Sequence, residues 1–388
     1  MHVLYLFPHF TGSSGAGNVV LNTAKLLAER GVEVTIVAQE GREDLISGHG
    51  NVHFEFVGGP LPKSIGHWIE YPLIYRRIRQ IIERKKPDVI FPHVFPANYW
   101  GFIYKSENPR SKLIWFCHEP SAFVHDRKVI DGLPNHLRTL ANLVNPLMRL
   151  LDVRLARGSD AILVNSRFTA ERARLIYGVE PKVTYVGVDL EEYPCRQMPK
   201  GDFFFTAGRL TRFKNMDMLI RAVALLKDQG RKAELKIAGD GPEREPLAQL
   251  AKQLGVDDRV RLIGEVSRKE LVDNYSRSLA VLFPSVGEPL GLIPLEAQAA
   301  HTAVIAFNSG GSKETVVPDK TGILVDDFTP DGLAEAIRYA LDNTERMTEM
   351  GSEGRKRIET CFSWSNTIDT LMDAFSDQLE GRVTPMGD

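Results

Sequence analysis

Short apolar runs alternate with amphipathic stretches along almost the whole chain, and this alternation constrains the fold more than any other feature of the sequence. Thirteen such runs occupy residues 3–7, 32–38, 52–57, 88–92, 112–117, 161–165, 183–186, 203–207, 234–238, 260–263, 280–283, 303–306 and 322–325. Apolar strands separated by helical stretches indicate parallel sheets whose two faces are covered by helices. The sequence therefore predicts an α/β protein.

Thirteen strands are too many for a single open doubly wound sheet, so the chain is expected to contain a break. Residues 191–201 supply one, because they are polar, include two prolines and precede a new apolar run. We therefore predict two Rossmann-like domains, the first over residues 1–193 and the second from residue 201 onward. Since ligands of such folds bind beyond the carboxyl ends of the strands, two facing domains would hold the active site in a cleft between them.

The net charge and the cysteines argue against several classes of protein. The 388 residues carry a net charge of −2, so no nucleic-acid partner is expected. Cys117, Cys195 and Cys361 share no close spacing, which argues against a disulfide framework or a zinc site and favours a reducing compartment. Because the chain opens directly on an apolar strand and contains no run long enough to span a membrane, we expect a cytoplasmic location.

An acidic loop at residues 285–291 connects one apolar run to a helical segment, and it is the most specific motif of the chain. Glu288 and Glu296 stand eight residues apart, and the helix is predicted to begin near Leu292. The free N–H groups of a helix start are suited to a phosphate or a sugar hydroxyl. Eight residues are just over two helical turns, so both carboxylates are expected to reach the same crevice.

A basic loop follows the run at 203–207 and precedes another helical segment. It carries Arg209, Arg212 and Lys214. Cations at a helix start are unfavourable for the helix dipole unless an anion is bound there, and arginine and lysine are the usual phosphate ligands. We therefore predict a phosphate site, although a solvated basic loop would carry the same residues.

Two glycine turns also follow apolar runs. The first, residues 12–17, reads G-x-x-G-x-G and includes Gly15 and Gly17. Glycines there let the backbone approach a ligand closely, or merely form a tight strand–helix turn. Glu40 stands where a ribose-binding acid would sit in a dehydrogenase, so an NAD-dependent oxidoreductase is one alternative. The second turn, at residues 239–242, includes Asp240 and is a weak motif by itself.

His118 ends the apolar run at 112–117, which places it at the carboxyl edge of the first predicted sheet. Such a histidine either belongs to the site or is a structural residue of the edge. No D-x-D motif and no His/Cys cluster with metal-ligand spacing occurs, so no tightly bound metal is expected. The charge of a phosphate would then be balanced by Arg209, Lys214 and helix starts.

Arg209, Lys214, the turn at 239–242 and the Glu288-x7-Glu296 pair occur in one order, each after an apolar run. This set resembles the retaining glycosyltransferases of family GT4. The resemblance implies the GT-B fold, in which two Rossmann-like domains face each other across a cleft. It also implies that the last helix, about residues 372–388, crosses back to the first domain, which leaves residues 201–371 to the second.

The resemblance implies roles for individual residues. Glu288 would contact hydroxyls of the donor sugar, Glu296 the ribose hydroxyls, and His118 the sugar near the reacting carbon. Arg209 and Lys214 would neutralise the leaving diphosphate. The remaining donor-binding positions are Gly15, Gly17, Gly239, Asp240, Gly264, Val266, Leu290, Gly291 and Leu292. The family's Asn-Gly-Val-Asp near the domain junction is Val186-Gly187-Val188-Asp189 here.

The activity that the resemblance implies is transfer of a mannose- or glucose-type hexose, with retention, from GDP-mannose or a UDP-hexose to a hydroxyl group. The acceptor would be a glycan, a lipid-linked saccharide or a glycolipid. No metal or other cofactor is expected, and the leaving phosphate is the expected base. The alternatives are a nucleotide-sugar epimerase of the same fold, an NAD-dependent oxidoreductase and a non-catalytic sugar-binding or scaffold protein.

Two amphipathic segments, residues 68–86 and 135–157, are rich in basic residues, which are arginine and lysine in the first and arginine in the second. Each places apolar residues on one helical stripe, as a helix lying on an anionic membrane surface would. Each stripe is equally expected of a helix that covers the sheet of the first domain. Peripheral contact with the inner face of the cytoplasmic membrane is therefore one of two interpretations.

Overall fold

The computed structural model describes residues 1–11, 14–46, 50–60, 65–126, 130, 135–194 and 197–381. Cys195 and Gly12 lie outside the described residues, as does the side chain of Trp68. The chain divides into two compact units. The first is Met1–Val186 together with the chain from Ser365 onward, and the second is Gly187–Trp364.

The first unit contains nine strands in its described part. They are β1 His2–Leu6, β2 His9–Phe10, β3 Glu33–Ala38, β4 Glu40–Gly41, β5 Val52–Phe56, β6 Val89–Pro92, β7 Ile114–Cys117, β8 Ala161–Val164 and β9 Lys182–Val183. Strands β5-β3-β1-β6 form a parallel sheet, and β7-β8-β9 form another. A parallel bridge between Ile90 and Leu113 joins the two, and β2 pairs with β4 in a separate two-stranded sheet.

Helices cover these strands. They are α1 Gly15–Glu29, α2 Glu43–Ile46, α3 Ile65–Lys85, α4 Ala97–Glu107, α5 Ala122–His125, α6 Asn135–Ala156 and α7 Arg167–Tyr177. In α3, Ile74, Ile78 and Ile82 are buried in the hydrophobic core of this unit. These isoleucines of the apolar stripe therefore pack inside the unit, whereas Leu73 of the same stripe is exposed.

The second unit contains six parallel strands among its described residues. They are β10 Phe203–Ala207, β11 Glu234–Ala238, β12 Val260–Gly264, β13 Ala280–Phe283, β14 Ala303–Phe307 and β15 Gly322–Val325. The order across the sheet is β12-β11-β10-β13-β14-β15. β14 is buried along its whole length, as expected of a central strand with helices on both faces.

Short 3₁₀ turns at Leu190–Glu192 and Arg212–Lys214 accompany the helices of this unit. The helices are α8 Met216–Asp228, α9 Arg244–Gln253, α10 Arg268–Arg277, α11 Leu292–Ala299, α12 Ser312–Thr315, α13 Pro330–Asp342 and α14 Thr344–Cys361. Their starts follow local rules. Thr329 caps α13 by accepting from the N–H of Gly332, and Ser267 and Glu270 form a capping box at α10.

The last helix, α15 Trp364–Leu379, packs on the first unit from Ser365 onward. Thr367 donates its hydroxyl to the carbonyl of Tyr185 at 2.8 Å, Asp369 pairs with Arg30, and Phe375 meets the ring of Phe91 edge-on. The sequence placed the start of this helix near residue 372, whereas the observed helix begins at Trp364. As predicted, the helix belongs to the first unit.

The prediction of an α/β fold with parallel sheets in two units is confirmed. Each of the thirteen predicted strands overlaps an observed strand, although the run at 183–186 shares only Val183 with β9. Strands β2 and β4, of two residues each, were not predicted. Among the described residues, no helix is both long and apolar enough to span a bilayer.

Candidate functional site

The order of the second sheet creates a switch point between β10 and β13, where the winding of the sheet reverses. In open α/β sheets, ligands bind outside the carboxyl ends of the strands at such a point. β10 ends at Ala207 and β13 ends at Phe283. The basic loop follows the first of these ends and the acidic loop follows the second.

The basic loop is anchored next to the acidic loop by a hydrogen bond from a side chain to a backbone carbonyl. Its last residue, Asn215, adopts a left-handed conformation with φ of 51°, which asparagine tolerates better than most residues. The side-chain Nδ2 of Asn215 donates to the carbonyl oxygen of Pro284 at 2.9 Å. The end of the basic loop is thereby held beside the beginning of the acidic loop.

An ion pair completes this connection. The Nζ of Lys214 lies 2.6 Å from Oε2 of Glu288, and both side chains are partly buried, with 22% and 30% of their surface exposed. Hydrogen bonds between charged groups at this distance are stronger than those between neutral groups, and partial burial shields this one from water. The two residues for which the sequence predicted contacts to phosphate and sugar therefore contact each other in the structure.

Arg209 differs from Lys214 in having no partner. Its side chain is exposed, and it makes no hydrogen bond or ion pair with any described residue. An unpaired guanidinium beside a partly buried lysine leaves positive charge available at the switch point. Such charge favours an anionic ligand.

The acidic loop rests on a second loop, residues 309–311, that was not identified from the sequence. The N–H of Gly287 donates to Oγ of Ser309 at 3.0 Å, and the N–H of Gly311 donates to the carbonyl of Glu288 at 2.8 Å. A Cβ on Gly310 would lie 2.5 Å from that same carbonyl oxygen. The signal was present, because Ser309-Gly310-Gly311 closely follows the predicted strand at 303–306.

Free backbone donors lie where the acidic loop enters α11. The N–H groups of Leu290, Gly291 and Leu292 donate to no acceptor in the described part of the chain. Gly291 has φ of +85° and no side chain that could cap the helix. Unsatisfied N–H groups at a helix start can bind an anion or a hydroxyl oxygen.

Glu296 lies within α11 and has its own set of partners. Its Oε1 accepts from Arg268 at 2.7 Å, and its Oε2 accepts from the hydroxyl of Tyr275 at 3.0 Å. Arg268 is held in turn by Glu192, at 2.5 Å, and by the hydroxyl of Tyr193. Burial raises the pKa of Tyr275, so its hydroxyl remains a donor. Arg268 was not identified from the sequence.

The glycine turn after β11 has a packing explanation. Gly239 has φ of +120°, and a Cβ there would lie 2.0 Å from the carbonyl oxygen of Gly208. Its N–H donates to the carbonyl of Gly264 at 2.7 Å. Asp240 accepts from the N–H of Gly241 at 2.7 Å, and Val266 is half-buried beyond β12. Roles in ligand binding for these positions stay predictions.

In the first unit, Gly15 and Gly17 form the start of α1. Ser14 caps this helix, because its Oγ accepts from the N–H of Gly17 at 3.0 Å. A Cβ on Gly17 would lie 2.9 Å from that oxygen. The structure thus explains Gly17 by helix capping, and a ligand contact stays a prediction. Glu40 lies in β4, where it pairs with His9.

His118 lies at the carboxyl end of β7 and contacts a second histidine that was not identified from the sequence. Its Nε2 is 3.0 Å from Nδ1 of His93, which follows β6. The carbonyl of His118 accepts from Nδ2 of Asn165 at 3.1 Å. Burial lowers the pKa of His118 to about 4, so the ring is neutral at neutral pH. The signal for His93 was its place directly after the run at 88–92.

No group of three or more His, Cys, Asp or Glu side chains is placed to hold a metal ion in the described part of the chain. The charged groups at the switch point include Arg209, Lys214 and Glu288. Together with the free N–H groups before α11, they can hold a polyanion next to a hydroxyl-bearing group.

Comparison with protein families gives two matches that cover most of the chain. The family model described as glycosyl transferases group 1 matches residues 196–357. The family model described as Glycosyltransferase Family 4 matches residues 13–192.

Curated relatives are similar over most or part of the chain. A D-inositol 3-phosphate glycosyltransferase of Corynebacterium glutamicum is 27% identical, over 98% of this chain and 96% of the relative. Another, from Kineococcus radiotolerans, is 31% identical over 68% of each chain. A GDP-mannose-dependent alpha-(1-6)-phosphatidylinositol monomannoside mannosyltransferase of Mycobacterium tuberculosis is 30% identical over 61% of this chain and 66% of the relative.

Solved structures show the same fold at lower identity. A sucrose-phosphate synthase from Thermosynechococcus elongatus superimposes with a TM-score of 0.80 at 19% identity, over 98% of this chain and 99% of that one. HepE of Anabaena in complex with UDP-glucose gives a TM-score of 0.77 at 18% identity, over 97% of this chain and 100% of that one.

Proposed function

The chain belongs to the glycosyl transferases group 1 of glycosyltransferase family 4 and has their GT-B fold, and from this premise we propose that it is a retaining hexosyltransferase. It transfers a mannose- or glucose-type hexose from a nucleoside diphosphate to a hydroxyl group of a glycan, a lipid-linked saccharide or a glycolipid. Because the chain belongs to this family, we no longer expect an NAD-dependent oxidoreductase or a non-catalytic scaffold.

The observation that carries this proposal is the Lys214–Glu288 pair beside Arg209 and the free N–H groups of residues 290–292. Breaking the bond between a sugar and a nucleoside diphosphate places negative charge on the β-phosphate. Fixed cations and N–H groups stabilise such charge and lower the barrier by about 3–4 kcal/mol for each donor. Glu288, held next to these donors, accepts hydrogen bonds from sugar hydroxyls.

Glu296 is proposed as the ligand of the ribose. A carboxylate offers about four acceptor sites. Two of them are used by Arg268 and Tyr275, which leaves sites for the two ribose hydroxyls. Arg268 and Tyr275 hold the carboxylate in one orientation, so the ribose is bound by a group that is already in place. The loop at Gly264 and Val266 follows a strand end of the same sheet and is proposed to flank the base.

Retention follows from attack on the same face from which the diphosphate departs. The leaving phosphate then takes the proton of the acceptor hydroxyl. Glu288 is not assigned as a nucleophile, because its Oε2 is held by the ammonium group of Lys214. Arg209 and Lys214 supply the positive charge that a metal ion would otherwise bring, so transfer is proposed to be independent of divalent metal ions.

The names of the relatives guide the choice of substrates. One curated relative is named for GDP-mannose and one solved structure contains UDP-glucose, so both donors are proposed as candidates here. The relatives' names place an inositol phosphate or a phosphatidylinositol mannoside on the acceptor side. Inositol phosphate and a phosphatidylinositol mannoside are therefore included as acceptors beside simple glycans.

A donor panel tests the proposal. The purified protein is mixed with GDP-mannose, UDP-glucose and UDP-N-acetylglucosamine, each with the three acceptor classes, in the presence and absence of EDTA. We expect release of nucleoside diphosphate from one hexose donor, unaffected by EDTA, and a product whose anomeric configuration matches the donor by NMR. Inversion, a need for metal, or epimerised donor without transfer would contradict the corresponding part of the proposal.

Peripheral membrane contact is proposed through α6. Its stripe of exposed apolar side chains includes Leu143, Leu147 and Leu150, which are 79%, 67% and 67% exposed. The exposed Arg154 lies on the same side of the helix by its spacing from Leu147 and Leu150. Contiguous exposed leucines with an adjacent cation suit the interface of an anionic bilayer. Such contact fits an acceptor that is itself a lipid.

Vesicle sedimentation decides this proposal. The protein is mixed at low salt with vesicles of phosphatidylglycerol or of phosphatidylcholine. We expect binding to the anionic vesicles, loss of binding in the double variant Leu147→Gln/Leu150→Gln, and no loss in Leu175→Gln. Leu175 is the matched control, because it is a leucine on α7 that is 86% exposed. If the wild-type protein stays in the supernatant, membrane contact is contradicted. If all variants bind equally well, α6 is not the membrane-binding surface.

A further inference from the structure

His93 is a buried histidine for which the proposed mechanism gives no role. Only 1% of its surface is exposed. Its ring stacks on Tyr5 with centroids 5.3 Å apart and on Phe116 with centroids 5.4 Å apart. Its backbone is also fixed, because its N–H donates to Leu6 and its carbonyl accepts from the indole of Trp115. The ring therefore has one orientation.

The two ring nitrogens of His93 have different surroundings. Nδ1 lies 3.0 Å from Nε2 of His118, whereas Nε2 of His93 is buried without a hydrogen-bond partner among the described residues. A buried N–H without an acceptor is rarer in proteins than a buried acceptor without a donor. The proton of the neutral ring is therefore on Nδ1, and His93 donates to Nε2 of His118.

This donation determines the tautomer of His118. A neutral imidazole carries one proton, and its Nε2 already accepts from His93, so the proton of His118 is on Nδ1. Within the described part of the chain, Nδ1 of His118 has no partner, and the residue is only half-buried. His118 thus presents a hydrogen-bond donor, and not an acceptor, to a ligand at the carboxyl edge of this sheet.

We propose that His93 is a positioning residue that fixes His118 as the Nδ1–H tautomer, so that His118 donates a hydrogen bond to an oxygen of the sugar substrate. The part of this inference that concerns the substrate rests on the proposed transferase function, whereas the tautomer does not. The lone pairs of a sugar hydroxyl oxygen can accept a hydrogen bond from Nδ1–H of His118, whereas an unprotonated Nδ1 could not donate one. His93 itself touches no substrate and acts through His118.

The tautomer is measured directly by NMR on protein labelled with ¹⁵N-histidine. Long-range ¹H–¹⁵N correlations distinguish a ring nitrogen that carries a proton from one that does not, and the His118→Asn variant identifies the His118 signals. We expect a proton on Nδ1 and none on Nε2 at neutral pH. A proton on Nε2 of His118, or a doubly protonated ring, overturns the inference whatever the enzymatic activity is.

Variants of His93 test the effect on the reaction. His93→Asn keeps an N–H donor at the position of Nδ1, whereas His93→Leu removes it. For the active donor and acceptor pair, we expect kcat to fall about tenfold in His93→Leu and to be largely restored in His93→Asn. The dissociation constant for the free nucleoside diphosphate should stay unchanged in both. Equal kcat in wild type and folded His93→Leu would overturn the assignment.

Failure of this inference is distinguishable from failure of the proposed function. If wild-type protein transfers no hexose from any donor, the proposed function fails while the NMR measurement still decides the tautomer. If transfer is observed and His93→Leu is folded by circular dichroism but fully active, the proposed function stands and the role of His93 does not. If His93→Leu does not fold, the tautomer of His118 in wild type and in His93→Asn decides the question.

Discussion

The Nζ of Lys214 lies 2.6 Å from Oε2 of Glu288, so one ion pair connects the loop after β10 to the loop after β13. The pair sits at the switch point of the second sheet, where both loops begin. Each charge is held in place by the other before any ligand binds. Both side chains are therefore fixed at the strand ends where phosphate and hydroxyl groups are proposed to bind.

Removing either member of this pair is expected to abolish most of the activity with little effect on the fold. For Lys214→Ala and for Glu288→Ala, kcat/KM should fall by about 10²–10³, as observed for single electrostatic donors. The double variant should lose less than the sum of the two, because each single change already breaks the pair. Steady-state transfer assays measure all three values.

The control for these variants is Lys232→Ala. Lys232 also pairs with a glutamate, Glu234, at 3.0 Å, but it is 76% exposed and precedes β11 at its amino end. Its removal should leave kcat/KM at the wild-type value. A similar loss in the control, or near wild-type transfer in Lys214→Ala, would contradict the role of the pair.

Arg209 is expected to act through its charge alone. Since its side chain is exposed and unpaired in the described part of the chain, Arg209→Ala should not lower the midpoint of urea unfolding. The same change should reduce kcat by about 10²–10³ if the guanidinium stabilises the leaving diphosphate. Arg209→Lys should restore part of the rate, because a lysine keeps the charge and loses the fork of donors. Unchanged kcat in Arg209→Ala contradicts the assignment.

The predicted contact of Glu296 with the ribose implies discrimination between ribose and 2′-deoxyribose. Wild-type protein should bind the ribonucleotide more tightly than the deoxynucleotide, because the deoxy form leaves an acceptor of the carboxylate unpaired. Glu296→Gln and Arg268→Gln should each reduce this ratio, the second by releasing the carboxylate from its orientation. Titration calorimetry with UDP or GDP and their 2′-deoxy forms measures the ratio. A ratio that is unchanged in both variants would exclude the contact.

The strands and the two charged loops could be predicted from the sequence because their signals are local. Short apolar runs end where charged or glycine-rich loops begin, and both features stand next to each other in the chain. The pairing of Lys214 with Glu288 could not be predicted, since it depends on the order of β10 and β13 in the sheet. Sequence reasoning placed each residue at a strand end but not beside its partner.

The residues that were missed act through partners far away in sequence. Arg268 meets Glu296 across 28 residues, and His93 meets His118 across 25. The two amphipathic helices also could not be distinguished from sequence, because α3 and α6 have similar patterns of apolar and basic residues. Ile74, Ile78 and Ile82 of α3 are buried, whereas Leu143, Leu147 and Leu150 of α6 are exposed, and this difference depends on the packing of the first unit.

Gly239→Ala is expected to lower the free energy of unfolding of the second unit by more than the cost of placing alanine at a positive φ. A Cβ at Gly239 would lie 2.0 Å from the carbonyl oxygen of Gly208, so the two loops must separate. Gly230→Ala is the matched control, because Gly230 has φ of +72° and a Cβ there would meet no atom within 4 Å. The control should cost about 1 kcal/mol for its backbone conformation, and Gly239→Ala clearly more. Equal midpoints of urea unfolding for Gly239→Ala and Gly230→Ala would show that the loops at Gly208 and Gly239 separate without a cost in stability.

His118 is expected to make stability fall as the pH is lowered below neutrality. Burial lowers the pKa of His118 to about 4 in the folded state, while the unfolded chain takes up the proton near pH 6.5. Above that pH both states are neutral and stability is unaffected; between about pH 6.5 and 4 the unfolded state binds more protons and is favoured. His118→Asn should therefore weaken the decrease in unfolding free energy between about pH 7.5 and pH 5 by about 1–2 kcal/mol. Urea titrations at the two pH values measure it, with His53→Asn as the control because His53 is exposed to water in the folded protein. An equally steep decrease in His118→Asn and wild type would show that this ring is not kept neutral by the fold.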